Sequence, residues 1–316
     1  MALFSVVIPL FNKDKYIRKA IDSVLKQTFV DFEIIIIDDG STDKSVEIVE
    51  QFEDERIKLI RQENSGVSLT RNKGVELAQS DFIAFLDADD WWDENFLSEM
   101  ALMIKEFPEA KIFSCSYYKV KFAKNIPANI GVELDFKKGY IDYCEVYSKT
   151  FWVPVNCSFV VLERKAFMEE KGFNPQLKFG EDLDLWLRFY LKHKFAFLNK
   201  TLAYSNQDVA ADNRALGDKI WKKEEHVLFQ ISYLKANEQN NQSLKYLLDG
   251  LRIRSLHVYF RKKINRGEVS EIISDVDFSK HDFIYYFYYK FPRFLTESFF
   301  SLKLIGSKIK KYIKSK

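Results

Sequence analysis

The sequence predicts an α/β fold in which a mostly parallel sheet carries helices on both of its faces. Apolar runs of strand length recur along the first third of the chain. Segments in which apolar residues follow helical spacing separate these runs. Several runs end in polar or acidic residues, and in open α/β sheets ligands bind at the carboxyl ends of the strands. Together these three observations predict a ligand site at one edge of a parallel sheet.

The alternation of strand and helix extends from residue 4 to residue 89. Residues 4–10 (FSVVIPL) form a short apolar run, and residues 15–27 follow helical spacing. Residues 32–40 contain four consecutive isoleucines and then two acids and a glycine. The remaining predicted elements of this region are a helix over 43–52, a strand over 56–62, a helix over 68–79 and a strand over 81–89. This βαβαβαβ order favours parallel strands joined by crossover helices.

The pattern is less regular from about residue 111 onward. We expect a strand over 111–120, a loop-rich or helical insertion over 121–150 and a strand over 156–164. An amphipathic helix is predicted over 181–191, and residues 218–265 are mostly helical and charged. The sequence therefore predicts a helical C-terminal extension that follows the sheet domain.

Composition excludes several classes of protein. The 316 residues are 47% hydrophobic and 16% aromatic, so a large core is expected and wholesale disorder is excluded. A net charge of +2 gives no general attraction for polyanions. The scattered cysteines Cys115, Cys144 and Cys157 indicate buried, reduced thiols in a cytoplasmic setting. We expect neither a signal peptide nor a membrane-spanning helix.

The end of the fourth predicted strand carries a cluster of acids, in the segment IAFLDADDWW (83–92). Asp87 and Asp89 are two residues apart, so on a strand their side chains would lie on the same face. Two carboxylates aimed at one point suit a hard divalent cation, Mg²⁺ or Mn²⁺, which takes its other ligands from water and a substrate diphosphate. The alternative is a capping acid with exposed neighbours.

Two further features of this region point to a nucleotide. Asp38 and Asp39 end the second strand, where a carboxylate could accept hydrogen bonds from a base or a ribose. Arg71 lies in the helix between the acidic strands, where it could contact a phosphate or brace an acid. A surface arginine and a capped turn are the simpler alternatives.

Four ordered blocks resemble glycosyltransferase family 2, whose members have the GT-A fold with a Rossmann-like sheet. The blocks are SVVIPLFNKDKYIRKAIDSVLKQTF, IIIIDDGSTDKS, ENSGVSLTRNKG and FLDADDWW, and the later GEDLDLWLR (180–188) resembles the acidic motif on the acceptor side of the family. The resemblance implies an inverting transfer of a sugar from a nucleotide donor, commonly UDP-linked, to an acceptor hydroxyl. It covers the chain to about residue 205.

The resemblance also implies roles for individual residues. Asp89 would coordinate Mn²⁺ or Mg²⁺, and Asp182, next to Glu181, would be the general base. The residues assigned to the nucleotide are Pro9, Phe11, Asn12, Asp38, Asp39, Arg71, Asp87 and Ala88. We expect a catalytic domain over residues 1–215, which consists of a nucleotide-binding half (1–110) and an acceptor-side half (111–215). A helical region over 216–290 and a tail over 291–316 should follow it.

The chain departs from the pattern of the family in two places. Many relatives have a tyrosine where this chain has Phe11, which stacks but cannot hydrogen-bond. Many also carry a histidine about twenty residues beyond the acidic pair, whereas residues 202–214 contain none, and Asn206, Gln207 or Asp208 could replace it. Trp152 and Trp186 could form the floor of a sugar site or belong to the core.

The tail over 291–316 combines an apolar stripe with lysines at helical spacing. Leu295, Phe299, Leu302, Ile305, Ile309 and Ile313 form the stripe, and five lysines lie largely opposite. A basic amphipathic helix suits an anionic membrane surface, so we expect a peripheral location at the inner face of the cell membrane. The family resemblance implies a glycan or lipid-linked glycan as acceptor, which agrees with this location. The alternative is a helix that packs on the core.

Other functions account for fewer of these observations. A haloacid dehalogenase-type phosphatase also has two acids after an apolar strand, but it needs Thr or Val where this chain has Trp91. A catalytically inactive nucleotide-sugar-binding protein would share the fold. A dinucleotide-binding oxidoreductase lacks support because no G-x-G-x-x-G follows the first strand. Nucleic-acid binding is not expected, since the basic residues concentrate in the tail.

Overall fold

The protein is described here by a computed structural model that covers residues 2–208 and 220–292. The described residues belong to two compact units, Met1–Asn237 and Glu238–Lys316. The predicted boundary at residue 215 and most of the predicted tail, residues 293–316, lie outside the described residues. Residues 220–237 belong to the first unit.

The described residues of the first unit form a ten-stranded sheet with the strand order β3-β2-β1-β4-β9-β6-β10-β5, in which β7 pairs with β6 and β8 pairs with β10. The strands are β1 (Phe4–Leu10), β2 (Phe32–Asp38), β3 (Ile57–Arg61), β4 (Phe82–Phe85), β5 (Trp91–Trp92), β6 (Ala110–Lys121), β7 (Lys124–Pro127), β8 (Lys138–Ile141), β9 (Val160–Glu163) and β10 (Lys194–Asn206).

The predicted parallel half is present as β3-β2-β1-β4. Beyond β4 the sheet is mixed, because β9 runs antiparallel to both β4 and β6, whereas β6 and β10 are parallel. Strands β1 and β2 are buried on both faces, which explains why their sequences are continuous apolar runs and do not alternate.

Helices cover both faces of the sheet. One core cluster joins Val6 and Ile8 of β1 to Ile17 and Ile21 of the first helix, and the helix of residues 67–77 packs on the opposite face against Val7. The described α-helices of this unit are α1 (Ile17–Leu25), α2 (Ser45–Val49), α3 (Val67–Leu77), α4 (Phe96–Glu106), α5 (Tyr143–Thr150), α6 (Arg164–Glu169), α7 (Glu181–Lys192) and α8 (Val227–Gln230). Helix α9 (Lys235–Asn240) begins in this unit and continues into the second one.

Several predicted elements differ in extent from the observed ones. The strand expected over 81–89 ends at Phe85, and the acids that follow lie in a turn closed by the Asp90 N–H and the Asp87 carbonyl. Residues 121–150 contain β7, β8 and α5. Helix α4 and strand β10 are not among the predicted elements. The three cysteines are buried and form no disulfide, as expected.

The second unit is helical, as expected for the C-terminal extension. The longest helix among its described residues, Gln242–Ser255, carries Arg252, which forms buried ion pairs with Glu238 and Asp249. Among residues 2–208 and 220–292, none of the helices combines the length and apolar character that crossing a membrane requires. The α-helices that lie wholly within the described part of the second unit are α10 (Gln242–Ser255), α11 (His257–Lys262), α12 (Arg266–Ser274) and α13 (Phe283–Lys290).

Candidate active site

The site lies where the parallel strands β1, β2 and β4 end. These strands are neighbours in the order β2-β1-β4. Because they run in the same direction, their carboxyl ends meet at one edge of the sheet. The segments that follow them therefore lie side by side, as the sequence predicts.

Hydrogen bonds between backbone N–H groups and side-chain oxygens fix the segment after β1 to the segment after β2. Asn12 adopts a left-handed conformation (φ 49°), its N–H donates to Ser41 Oγ at 3.0 Å, and its Oδ1 accepts from the Thr42 N–H at 2.8 Å. One residue later the N–H of Lys13 donates to Ser45 Oγ at 2.8 Å. Asn12 thus uses its side chain to hold the loop, which places the backbone of this edge accurately.

The other residues that are predicted to bind the nucleotide at the ends of β1 and β2 differ in exposure. Pro9 is in β1 and pairs with Ile37 of β2, while Phe11 is 45% exposed and free to stack on a planar ligand. Asp38 is buried and accepts from the Ser41 N–H at 3.2 Å.

Asp39 is the anchor of the loop over residues 62–66. Its Oδ1 accepts from Gln62 Nε2 at 2.7 Å and the Ser65 N–H at 2.8 Å, and its Oδ2 accepts from the Gly66 N–H at 2.9 Å. Burial acts to raise the pKa of Asp39, but these hydrogen bonds outweigh it, so the pKa is lowered and the carboxylate stays ionised. Most of its accepting capacity is used within the protein.

The acidic turn after β4 contains three carboxylates in different surroundings. Asp87 is 30% exposed at its side chain, whereas Ala88 and Asp90 are buried. Asp90 Oδ1 accepts from the Asn206 N–H at 2.6 Å, which joins the turn to the end of β10. Burial and the charges of Asp89 and Asp87 raise the pKa of Asp90 well above its ordinary value.

Asp89, the predicted metal ligand, forms an ion pair with Lys13. Lys13 Nζ donates to Asp89 Oδ2 at 2.8 Å, and the two side chains are only 15% and 19% exposed. Burial and the neighbouring charge of Asp87 raise the pKa of Asp89, while Lys13 opposes this effect. Residue 13 was not predicted as a site residue, although its position directly after the first strand exit places it at the same edge.

Arg71 connects the acidic turn to the start of α7. Its Nη2 donates to Asp87 Oδ1 at 2.7 Å, and its Nη1 donates to Glu181 Oε1 at 3.4 Å. The guanidinium is 6% exposed and lies over the ring of Phe173. Arg71 thus braces two acids, and its predicted contact with a phosphate stays a prediction.

Asp182 lies in the first turn of α7, two residues after the N-cap residue Gly180. Its Oδ1 accepts from the Leu183 N–H at 2.7 Å. Burial raises the pKa of Asp182 to about 7, and the charge of Glu181 acts in the same direction. A carboxylate whose pKa is near neutrality is suited to accept a proton from a hydroxyl group.

The start of α7 is fixed by the segment that precedes α8. The N–H groups of Lys178 and Phe179 donate to the Glu225 carbonyl at 2.8 and 3.1 Å, and the Val227 N–H donates to the Phe179 carbonyl at 3.0 Å. A Cβ at Gly180 would lie 2.4 Å from Val227 Cγ1, so only glycine fits there without a shift. The position of Asp182 thus depends on residues more than forty positions later.

The two candidate sugar platforms have different surroundings. Trp186 is 1% exposed and packs edge-to-face with Phe173, so it belongs to the core. Trp152 is partly buried, and Lys119 Nζ lies 3.9 Å from its ring centroid. Of the two, only Trp152 could reach a ligand, after Lys119 has moved.

The donor set at the acidic turn fits a hard divalent cation. Asp87 and Asp89 offer carboxylate oxygens, which Mg²⁺ and Mn²⁺ prefer, and such ions use one or two protein acids together with substrate phosphates. Acids outnumber bases here: Asp87, Asp89 and Asp90 are joined by Glu181 and Asp182, against Lys13 and Arg71. Within the described residues no three His, Cys, Asp or Glu side chains form a complete protein-only metal site.

Comparison with known proteins identifies the family. Glycosyl transferase family 2 matches residues 5–169, which is just over half of the chain. The chain belongs to this family. The expected family and the glycosyltransferase class are thereby confirmed.

Individual relatives agree with this assignment. The glycosyltransferase GlyA of Streptococcus pneumoniae is 31% identical over 207 residues, 63% of this chain and 30% of GlyA. Chondroitin synthase of Pasteurella multocida is 28% identical over 277 residues, 87% of this chain and 27% of the synthase. The chain thus spans less than a third of either relative.

A solved structure confirms the fold. S. aureus TarS 1–349, in complex with UDP-GlcNAc, superposes with a TM-score of 0.60 at 17% identity, over 86% of this chain and 90% of the TarS chain. This likeness establishes the GT-A fold of the family 2 enzymes for the chain.

Proposed function

We propose that the chain transfers a sugar from a UDP-linked donor to a hydroxyl of a glycan or lipid-linked glycan, with inversion at the anomeric carbon. Family membership supports glycosyl transfer. The TarS fold binds UDP-GlcNAc in its solved structure, which supports a UDP donor. The relative chondroitin synthase makes a polysaccharide by name, which supports a glycan acceptor.

The observation that carries this proposal is the placement of Asp182. Single displacement with inversion requires one base that accepts the proton of the acceptor hydroxyl. Asp182 has a pKa of about 7 and is joined to the acidic turn by the bridge Glu181–Arg71–Asp87. One arginine thus connects the acidic turn to the residue next to the proposed base, and a fixed geometry of this kind favours the reaction.

On the donor side, the ends of β1 and β2 would hold the nucleotide. Phe11 would offer its exposed ring to the base, and Asp39 fixes the loop over residues 62–66, which follows the neighbouring strand β3. Asp87 would contact the ribose, and Asp89 would hold Mn²⁺ or Mg²⁺. When bound, this cation neutralises the charge that develops on the diphosphate leaving group.

Substitution of the base tests the proposal. Asp182→Asn should lower transfer by about 10²- to 10⁴-fold while UDP binding by calorimetry stays within about twofold. Asp135→Asn, at an exposed carboxylate away from the site, is the matched control and should change neither. Persistent transfer in the Asp182 variant would place the base elsewhere.

The donor and the rival functions are tested together by a panel of nucleotide sugars with Mn²⁺ and a glycan acceptor. A glycosyltransferase releases nucleoside diphosphate and extends the acceptor. A phosphatase would release inorganic phosphate without an acceptor, and an inactive binding protein would bind UDP without turnover. The measured product thus separates the three.

We also propose that residues 291–316 attach the protein to the inner face of the membrane. The basic amphipathic pattern of this segment supports the proposal. Deletion of these residues should move the protein from the membrane fraction to the supernatant and abolish binding to vesicles with anionic lipids. Retention on such vesicles after deletion would contradict it.

A further inference from the structure

The ion pair between Lys13 and Asp89 occupies one of the two oxygens that Asp89 could offer to a divalent cation. Lys13 Nζ lies 2.8 Å from Asp89 Oδ2, and both side chains are largely shielded from water. An ammonium ion and a divalent cation cannot both hold this oxygen at close range, because like charges in a poorly hydrated site repel strongly. Binding of the cation at this oxygen therefore requires that the ammonium of Lys13 moves.

The backbone at Lys13 is held in place, so the movement is confined to the side chain. The N–H of Lys13 donates to Ser45 Oγ at 2.8 Å, and the next N–H, of Asp14, donates to Asp43 Oδ2 at 3.0 Å. A lysine side chain has a flexible four-carbon stem that carries a compact charge. It can change partner without a change in the fold.

We propose that Lys13 is the resident counter-ion of Asp89, which a divalent cation displaces and which then pairs with the diphosphate of the donor. This inference rests on the proposed function, because it concerns the same donor site. The displaced ammonium remains at the edge where β1, β2 and β4 end, and the diphosphate is the anion that binding of the donor brings there. One lysine then neutralises a carboxylate in the free enzyme and a phosphate in the complex.

The exchange predicts effects of opposite sign on two ligands. Removal of the ammonium frees Asp89 and should tighten the binding of a cation by itself. The same removal should weaken the binding of a nucleoside diphosphate, because a partner of the phosphates is lost. If Lys13 had only a structural role, its removal would tighten the binding of neither ligand.

The first measurement uses Mn²⁺ alone, titrated into the full chain and followed by the EPR signal of free Mn²⁺. Lys13→Met should lower the Kd for Mn²⁺ about fivefold relative to the wild type, the value of a well-formed ion pair near a surface. Lys13→Arg keeps the charge and should stay near the wild type. Lys15→Met, at an exposed neighbouring lysine, is the matched control and should bind Mn²⁺ as the wild type does.

The second measurement compares UDP and uridine by calorimetry at saturating Mn²⁺. Lys13→Met should raise the Kd for UDP about fivefold and leave the Kd for uridine unchanged. Thermal melting of each variant shows that the fold is retained.

Each outcome decides the inference. Unchanged or weaker Mn²⁺ binding by Lys13→Met would overturn it, while transfer by the wild type with Mn²⁺ would leave the proposed function standing. Tighter Mn²⁺ binding with unchanged UDP binding would overturn the transfer of the ammonium to the diphosphate. If the wild type takes up no Mn²⁺ even with UDP, both this inference and the metal assignment fail.

Discussion

Arg71 Nη2 lies 2.7 Å from Asp87 Oδ1, and this ion pair joins helix α3 to the acidic turn. The other amino group of the arginine reaches Glu181 at 3.4 Å, next to the candidate base. The arginine is 6% exposed, so its charge is held by these acids more than by water. The donor side and the start of α7 are thus linked through one side chain.

Removal of this link should cost both stability and activity. Arg71→Met leaves Asp87 and Glu181 without their cation, and the loss of charged hydrogen bonds should lower the free energy of unfolding by about 2 kcal/mol. Transfer should fall as well, since the relation of the acidic turn to α7 is loosened. Urea unfolding and a transfer assay measure the two effects.

The control for this change is Arg61→Met. Arg61 pairs with Glu50 on the surface, where both side chains are more than half exposed. Such a pair contributes at most about 1 kcal/mol, so stability should change little and transfer not at all. Equal losses in the two variants would contradict the special role of Arg71.

The strands that frame the site were predictable from sequence, whereas the pairing of its charges was not. Strands β1 and β2 are buried on both faces, so their apolar runs identify them directly. The ends of these runs then place the site at one edge of the sheet. Lys13 and Asp89 are 76 residues apart and Arg71 and Glu181 are 110 apart, so their pairing depends on tertiary packing that local patterns do not encode.

The end of β4 shows where a local pattern misleads. The apolar run continues through Leu86, and the alternation of Asp87 and Asp89 favours a continued strand. In the structure the hydrogen bond from the Asp90 N–H to the Asp87 carbonyl closes a turn after Phe85. Asp87 and Asp89 therefore lie in a turn, and not on one face of a strand as the alternation suggests.

The pH dependence of transfer should report Asp182. Its pKa is raised to about 7, so the ionised base becomes available as the pH rises through 7. Below pH 7, kcat/KM should fall about tenfold per pH unit, and above it the rate should level off. The protonated carboxyl is the form that the fold favours. The contribution of Asp182 to the free energy of unfolding is therefore complete below about pH 4 and lost as the pH rises through 7.

Glu181→Gln tests the cause of this shift. The charge of Glu181 raises the pKa of Asp182, so its removal should move the acidic limb of the rate profile to lower pH. Asp182→Asn should abolish the limb, so the residual transfer should no longer depend on pH in this range. A limb that stays in place in Glu181→Gln would mean that burial, and not the charge of Glu181, sets the pKa of Asp182.

Gly180→Ala should lower transfer more than donor binding. At φ 78° an alanine is strained by about 1–2 kcal/mol, and its Cβ would lie 2.4 Å from Val227 Cγ1. Relief of this clash displaces the start of α7 and with it Asp182, for which we expect a loss of about 100-fold in kcat. Calorimetry with UDP should show little change, because the residues assigned to the nucleotide lie on other elements.

The double variant Gly180→Ala/Val227→Ala separates the two causes. It removes the clash and keeps the backbone strain, so it should recover part of the lost activity. No recovery would assign the whole effect to the left-handed conformation.

Close packing of α3 on β1 requires a glycine at position 74. A Cβ there would lie 2.3 Å from Val7 Cγ1, and Val7 is fully buried with a stiff β-branched side chain that cannot turn away. Alanine gains about 1 kcal/mol of helix propensity, but overpacking costs about 1–3 kcal/mol, so Gly74→Ala should lower the free energy of unfolding. Urea unfolding measures this change.

Two further variants show whether the contact with Val7 is the cause. A Cβ at Gly267 in α12 would meet nothing within 4 Å, so Gly267→Ala should be neutral or stabilising by up to about 1 kcal/mol. In Gly74→Ala/Val7→Ala the new methyl group fills the space that the valine leaves. The double variant should therefore be at least about 1 kcal/mol more stable than the sum of the single losses predicts. If the changes in the free energy of unfolding are strictly additive, the helix moves away from the strand in Gly74→Ala. Close packing of α3 on β1 would then not require a glycine at position 74.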